Sequence, residues 1–128
     1  MKHDILVADD IATVIQHFYQ KVKNDPQIGF YFSDVVPIQW DRHLKQMCLF
    51  WENILFHTGE YEGDPIETHR RVYQIHPTTT KDFEQWMKLF TGTVDALYEG
   101  KNVEKMKSHA AAIASIMMQK IDKNSPHA

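Results

Sequence analysis

Hydrophobic residues recur at helical spacing in four long stretches of this chain, and no stretch reads as a credible strand. Ile11, Val14, Ile15, Phe18 and Val22 fall three or four residues apart over 9–24, with Tyr19 one position to the side. That period puts them on one face of a helix. Asp9 or Asp10 can cap its start by accepting backbone N–H bonds, and Asn24-Asp25-Pro26 stops it, since the residue before proline avoids the α region. A second helix is expected over about 38–57, with Leu44, Met47, Cys48, Trp51, Ile54 and Leu55 on its apolar stripe, Trp40 near its start and Gly59 as its stop. A third, over about 81–98, carries Phe83, Trp86, Met87, Phe90, Val94 and Leu97, and Gly100 ends it. A fourth, over about 103–121, carries Val103, Met106, Ala110, Ile113, Met117 and Ile121 before a polar tail.

The connections are less regular. Phe30, Tyr31 and Phe32 stand together between the first two helices, where a turn or short helix is expected. Gly63-Asp64-Pro65 reads as a turn into a short helix over about 66–72 that holds His69, with Asp64 as cap and Pro65 at its first position. Pro77 to Thr80 is a loop, and Thr79 with Asp82 resembles a capping box. No repeat or composition break divides the chain. The expected fold class is all-α, one domain over 1–128.

Composition narrows the field. Hydrophobic residues are 43% and charged residues 24%, which excludes collagen-like, low-complexity and disordered classes. The net charge of −3, with no local Lys/Arg cluster, excludes a strongly basic nucleic-acid binder. A lone cysteine, Cys48, allows no internal disulfide and fits a reducing compartment. With no signal-like apolar run and no stretch of the ~20 apolar residues a membrane helix needs, a cytoplasmic, membrane-free protein is expected. Eight histidines, seven Phe, five Tyr, three Trp and six Met are many for 128 residues. A plain bundle can contain them; a bundle wrapped around a flat apolar ligand needs them.

Common catalytic signatures are missing: no Gly-rich phosphate loop, no H-E-x-x-H, no paired Cys-x-x-Cys, no nucleophile elbow and no Glu-x-x-His pair for a di-iron bundle. Cys48, on an apolar stripe, reads as an inert thiol. Three positions carry more. His69 is either a surface histidine beside Arg70 and Arg71, the reading spacing alone favours, or an axial ligand to haem iron. Tyr19 is either a core residue with a satisfied hydroxyl or a donor pointing into a pocket. His43, one turn before Met47, lies at the edge of its apolar face, where it can line or gate a cavity.

Taken with their surroundings, these residues resemble the truncated haemoglobins, most closely the third, bacterial group. The resemblance runs from Ile11 to about Met118. It rests on Phe18-Tyr19, on Phe32, on His43 with Phe50-Trp51, on His69 after Gly63-Asp64-Pro65, and on the run from Phe83 to Phe90. The absence of paired glycines at the helix corners also suits the third group. The resemblance implies a two-over-two helical sandwich around haem b. It makes His69 the proximal iron ligand and Tyr19, His43 and Trp86 the distal polar set. Phe32 would pack on the porphyrin, Met47, Phe50 and Trp51 would form distal wall, and Phe83 and Phe90 would complete the lining. The stretch from His69 to Trp86 is longer than the family pattern and holds a second histidine, His76. His69 is preferred as ligand because His76 directly precedes Pro77.

The implied activity is binding of diatomic ligands (O2, NO, CO) at a pentacoordinate iron. Oxygen, nitric oxide or peroxide chemistry fits better than bulk oxygen transport, and nitric oxide dioxygenation and peroxide cleavage are both open, with a separate reductase. His43 either gates access or transfers protons, since imidazole titrates near neutrality. His57, Arg70 and Arg71 are candidates for the haem propionates or are ordinary surface charge. Two other readings compete: a cofactor-free helical interaction module, and a haem-based sensor acting through a separate partner.

Overall fold

The computed structural model describes residues 2–30, 40–59 and 79–124, and among them every regular element is a helix. These are α1 (Ala8–Lys23), α2 (Trp40–Phe56), α3 (Thr80–Leu97) and α4 (Lys101–Asn124). α1 packs on α2 and α3, and α4 packs on α3 and α2. The expected short helix around His69, the Phe32 region and the Pro77 loop lie outside the described residues.

α1 forms because its apolar stripe and its ends agree. Ile11, Val14, Ile15, Phe18, Tyr19 and Val22 are all buried, each such side chain contributing about 1.5–3 kcal/mol over leaving it in water. Asp9 and Asp10 occupy its first turn, and Lys21 and Lys23 its last, each sign opposite the helix dipole. Asp10 reaches back to accept from the N–H groups of Leu6 (2.9 Å) and Val7 (3.2 Å). After Lys23, Asp25 folds the chain over, its Oδ1 accepting from the N–H groups of Gln27 (2.8 Å) and Ile28 (3.0 Å). This is the Asx turn that makes aspartate a turn residue.

α3 opens on the expected capping box: Thr79 Oγ1 accepts from Asp82 N–H (3.2 Å) and Asp82 Oδ2 from Thr79 N–H (3.0 Å). The helix ends at Leu97, earlier than Gly100, because Tyr98 turns extended and Glu99 N–H donates to the His3 carbonyl. α2 likewise stops before Gly59. His57 takes the left-handed position itself (φ 56°), and Gly59 N–H donates to Asn53 Oδ1 at 2.8 Å.

α4 starts two residues earlier than its periodicity implies. Asp4, almost a hundred residues away, accepts from the first-turn N–H groups of Asn102 (3.0 Å) and Val103 (3.1 Å). A helix leaves its first four N–H groups without intrahelical acceptors, and here a distant carboxylate supplies two of the acceptors. Gly100 (φ 148°) makes this possible, since a Cβ there would run into the Asp4 carboxyl. The same strap seats Ile5 fully inside the core. On α4 the buried stripe is Val103, Met106, Ala110, Ala114 and Met117, with Ile113 half-buried.

Candidate functional site

Three helices bring their chemistry-bearing side chains toward one aromatic centre. Phe18 of α1 is its hub. It meets Trp86 edge-on at 5.6 Å (89°) and Phe90 at 5.1 Å (88°) between ring centroids. Phe90 stacks with two indoles. Trp86 stacks on it at 5.4 Å (5°) and Trp51 of α2 at 5.5 Å (22°). Edge-to-face and offset-stacked pairs at such distances add about 0.5–1.5 kcal/mol each to burial. Trp86 and Phe90 meet because residues four apart share a helix face.

On the flank of this centre Tyr19 faces His43, their ring centroids 4.9 Å apart at 76°. α1 supplies the tyrosine and α2 the imidazole. Tyr19 is 7% exposed, and burial pushes its phenol well above the ordinary value of 10. The hydroxyl therefore stays protonated throughout the neutral range and remains a neutral donor. His43 is half-buried, with its Nε2 closed off from solvent. An uncharged phenol and an imidazole thus stand together inside an aromatic shell, where the low local dielectric strengthens whatever hydrogen bond they make.

The remaining expected lining residues fall into two sets. Phe83, Phe90 and Trp51 are buried, and the last two stack on each other. Met47 and Phe50 are half-buried on α2, as are Leu44, Cys48 and Ile54, so this stripe keeps apolar surface in partial contact with water. Burial and the Glu52 carboxylate both push the Cys48 thiol up, in keeping with the inert thiol expected. Phe32, His69, Arg70, Arg71 and His76 lie outside the described residues, and His57 is exposed at the end of α2. Among the described residues no group of three His, Cys, Asp or Glu is placed to hold a bare metal ion, and no helix is long and apolar enough to cross a membrane.

Sequence reasoning missed Phe18 as hub: its spacing marked it only as core. It also missed Asp25, whose Oδ2 accepts from Gln85 Nε2 at 2.7 Å and so joins the turn after α1 to the helix bearing Trp86. Nothing local in a polar turn signals a partner sixty residues on.

The four helices among the described residues, in this order and packing, match a truncated-globin fold. Within that class the chain is similar to group III truncated haemoglobins. It is 27% identical over 130 residues to the group 3 truncated haemoglobin of Campylobacter jejuni, covering 99% of this chain and all of that one. The crystal structure of the group III truncated haemoglobin from Campylobacter jejuni superposes with a TM-score of 0.81 over 94% of this chain and 95% of that one. No family model matches the sequence.

Proposed function

We propose that the chain is a haem-binding globin that holds diatomic ligands on the face presented by Tyr19, His43 and Trp86. The observation that carries this reading is the pairing of a protonated, buried Tyr19 with His43 inside a truncated-globin fold. The residues suit the group. The half-buried stripe of Met47 and Phe50 offers surface that a flat apolar ring system would cover, and Tyr19 and Trp86 are neutral donors that bring no buried charge. His69 would hold the iron, with its other ring N–H donated to an acceptor that fixes its tautomer. Phe32, Met47, Phe50, Trp51, Phe83 and Phe90 would enclose haem b.

When bound, haem supplies an iron site open to O2, NO or CO. The protein's part is electrostatic. The buried Tyr19 O–H and the Nε1–H of the half-buried Trp86 are donors that need little reorganisation to meet negative charge developing on a ligand. Neither changes protonation near pH 7, so their contribution is constant, whereas the His43 imidazole can carry a proton in or out. Two donors on one ligand favour retention and reaction over release. We therefore assign chemistry on oxygen, nitric oxide or peroxide, fed by a separate reductase, in preference to transport.

The test is an absorption spectrum of the purified protein in ferric, ferrous and carbonmonoxy forms. A strong band near the Soret region, lost in His69→Ala and retained in His76→Ala, is the expected outcome. A colourless protein that folds equally well without iron overturns the proposal in favour of a helical interaction module.

A further inference from the structure

The proposed chemistry depends on how Trp86 sits relative to Tyr19, yet these residues belong to different helices. Two cross-links tie those helices together outside the pocket, and both start in the turn after α1. Asp25 Oδ2 accepts from Gln85 Nε2 at 2.7 Å, and Gln27 Nε2 donates to Asp82 Oδ1 at 3.2 Å. Residues 82 and 85 are three apart, so they share one face of the first turns of α3. Trp86 follows directly.

The turn is a rigid platform. Asp25 N–H donates to the Val22 carbonyl and Gly29 N–H to the Asp25 carbonyl, at 3.1 and 3.0 Å. Gly29 leaves no room for a Cβ, which would stand 2.7 Å from the Asp25 carbonyl oxygen and 2.8 Å from that of Lys23. Ile28 plugs the core at 3% exposure. With Oδ1 of Asp25 committed to this turn, Oδ2 is the oxygen aimed at α3. Two further bonds hold the receiving end, since Asp82 also closes the capping box with Thr79.

We propose that Asp25 is a positioning residue for the distal donors: its hydrogen bond to Gln85 sets where Trp86 stands against Phe18 and hence relative to Tyr19. This rests on reading Tyr19 and Trp86 as ligand donors. Sliding the start of α3 would move Trp86 across Phe18, which it meets edge-on at 5.6 Å, and Phe18 is bonded in sequence to Tyr19. A fixed donor loses most of its effect when displaced by about 1 Å.

Reversing the donor and acceptor tests this. Gln85→Glu sets two carboxylates against each other, whereas Asp25→Asn combined with Gln85→Glu restores an amide-to-carboxylate bond with the roles exchanged. In the ferrous carbonmonoxy protein, the Trp86 indole N–H resonance should shift in Gln85→Glu and return in the double variant. Oxygen release should quicken roughly threefold or more and then recover in step. Should Gln85→Glu not fold, Gln85→Leu removes the cross-link and leaves the turn whole, and the same resonance must shift. An indole resonance unmoved in both single variants, or a double variant that does not recover, overturns the proposal. The indole reports the seat of Trp86 whether or not it donates to a ligand. If Tyr19→Phe and Trp86→Phe leave oxygen release unchanged while the Gln85→Glu resonance shifts, the donor reading fails and the positioning of Trp86 stands.

Discussion

Replacing Tyr19 with phenylalanine isolates one hydroxyl. Ring contacts to Phe18 at 4.9 Å and to His43 at 4.9 Å help hold this residue. Both survive the substitution, and at 7% exposure the phenyl ring fills the same space. Folding stability should therefore change by no more than about 1 kcal/mol. Ligand retention should change more. Burial keeps the phenol protonated, so the lost interaction is a neutral donor facing a partly charged ligand in a dry site, of about 1–2 kcal/mol. That free energy corresponds to a roughly five- to thirtyfold faster release. Stopped-flow displacement of oxygen by carbon monoxide from the ferrous protein measures it directly. Because burial raises the phenol above 10, wild-type release should also stay flat between about pH 7 and 9. A variant with an unchanged release rate and an unchanged melting temperature would show that the hydroxyl does not face the ligand, and the distal assignment would fall with it.

Other consequences can be checked without a ligand. Asp4→Ala removes three bonds, the one Oδ2 accepts from Asn102 N–H and the two Oδ1 accepts from Val103 and Ile5 N–H, so urea unfolding should show a loss of about 1–2 kcal/mol. N–H donation from Leu6 first, and then from Val7, holds the Asp10 carboxyl below its ordinary value of 3.8. Burial pushes Asp25 up, but donation by Gln85, Ile28 and Gln27 outweighs it and leaves that carboxyl below 3.8 as well. Carboxyls lowered in the fold contribute stability that is present above the unfolded-state value and lost as pH falls through the folded one. Thermal melts should thus decline below about pH 4, with a shallower decline in Asp10→Asn; an equally steep decline in that variant refutes the assignment. Cys48, half-buried with its thiol pushed up, should alkylate at pH 7.5 several-fold more slowly than a free thiol of ordinary acidity. Labelling at the rate of glutathione would mean that α2 is open there.

The stripes of all four helices were legible in the chain, because a helix that must bury one face writes that need at a period of 3.6 residues. Ile11, Val14, Ile15, Phe18, Tyr19 and Val22 were readable as one face for that reason, and so was the Thr79–Asp82 box, whose partners lie within one turn. Tyr19 and His43 could be singled out as polar-tipped side chains beside those stripes, whereas Trp86 read as part of a stripe and gained its distal role only from the family resemblance. What periodicity does not carry is which stripe meets which. Only packing decided that Trp51 would stack on Phe90 beside Trp86, and that Tyr19 would meet His43. Only packing delivered Asp4 to the start of α4 and Asp25 to Gln85, where an aspartate in a polar segment finds its donor far along the chain. Local period is a property of neighbours in sequence. The acceptor a distant N–H finds, and the ring an indole stacks on, exist only once separate helices have excluded the water between them.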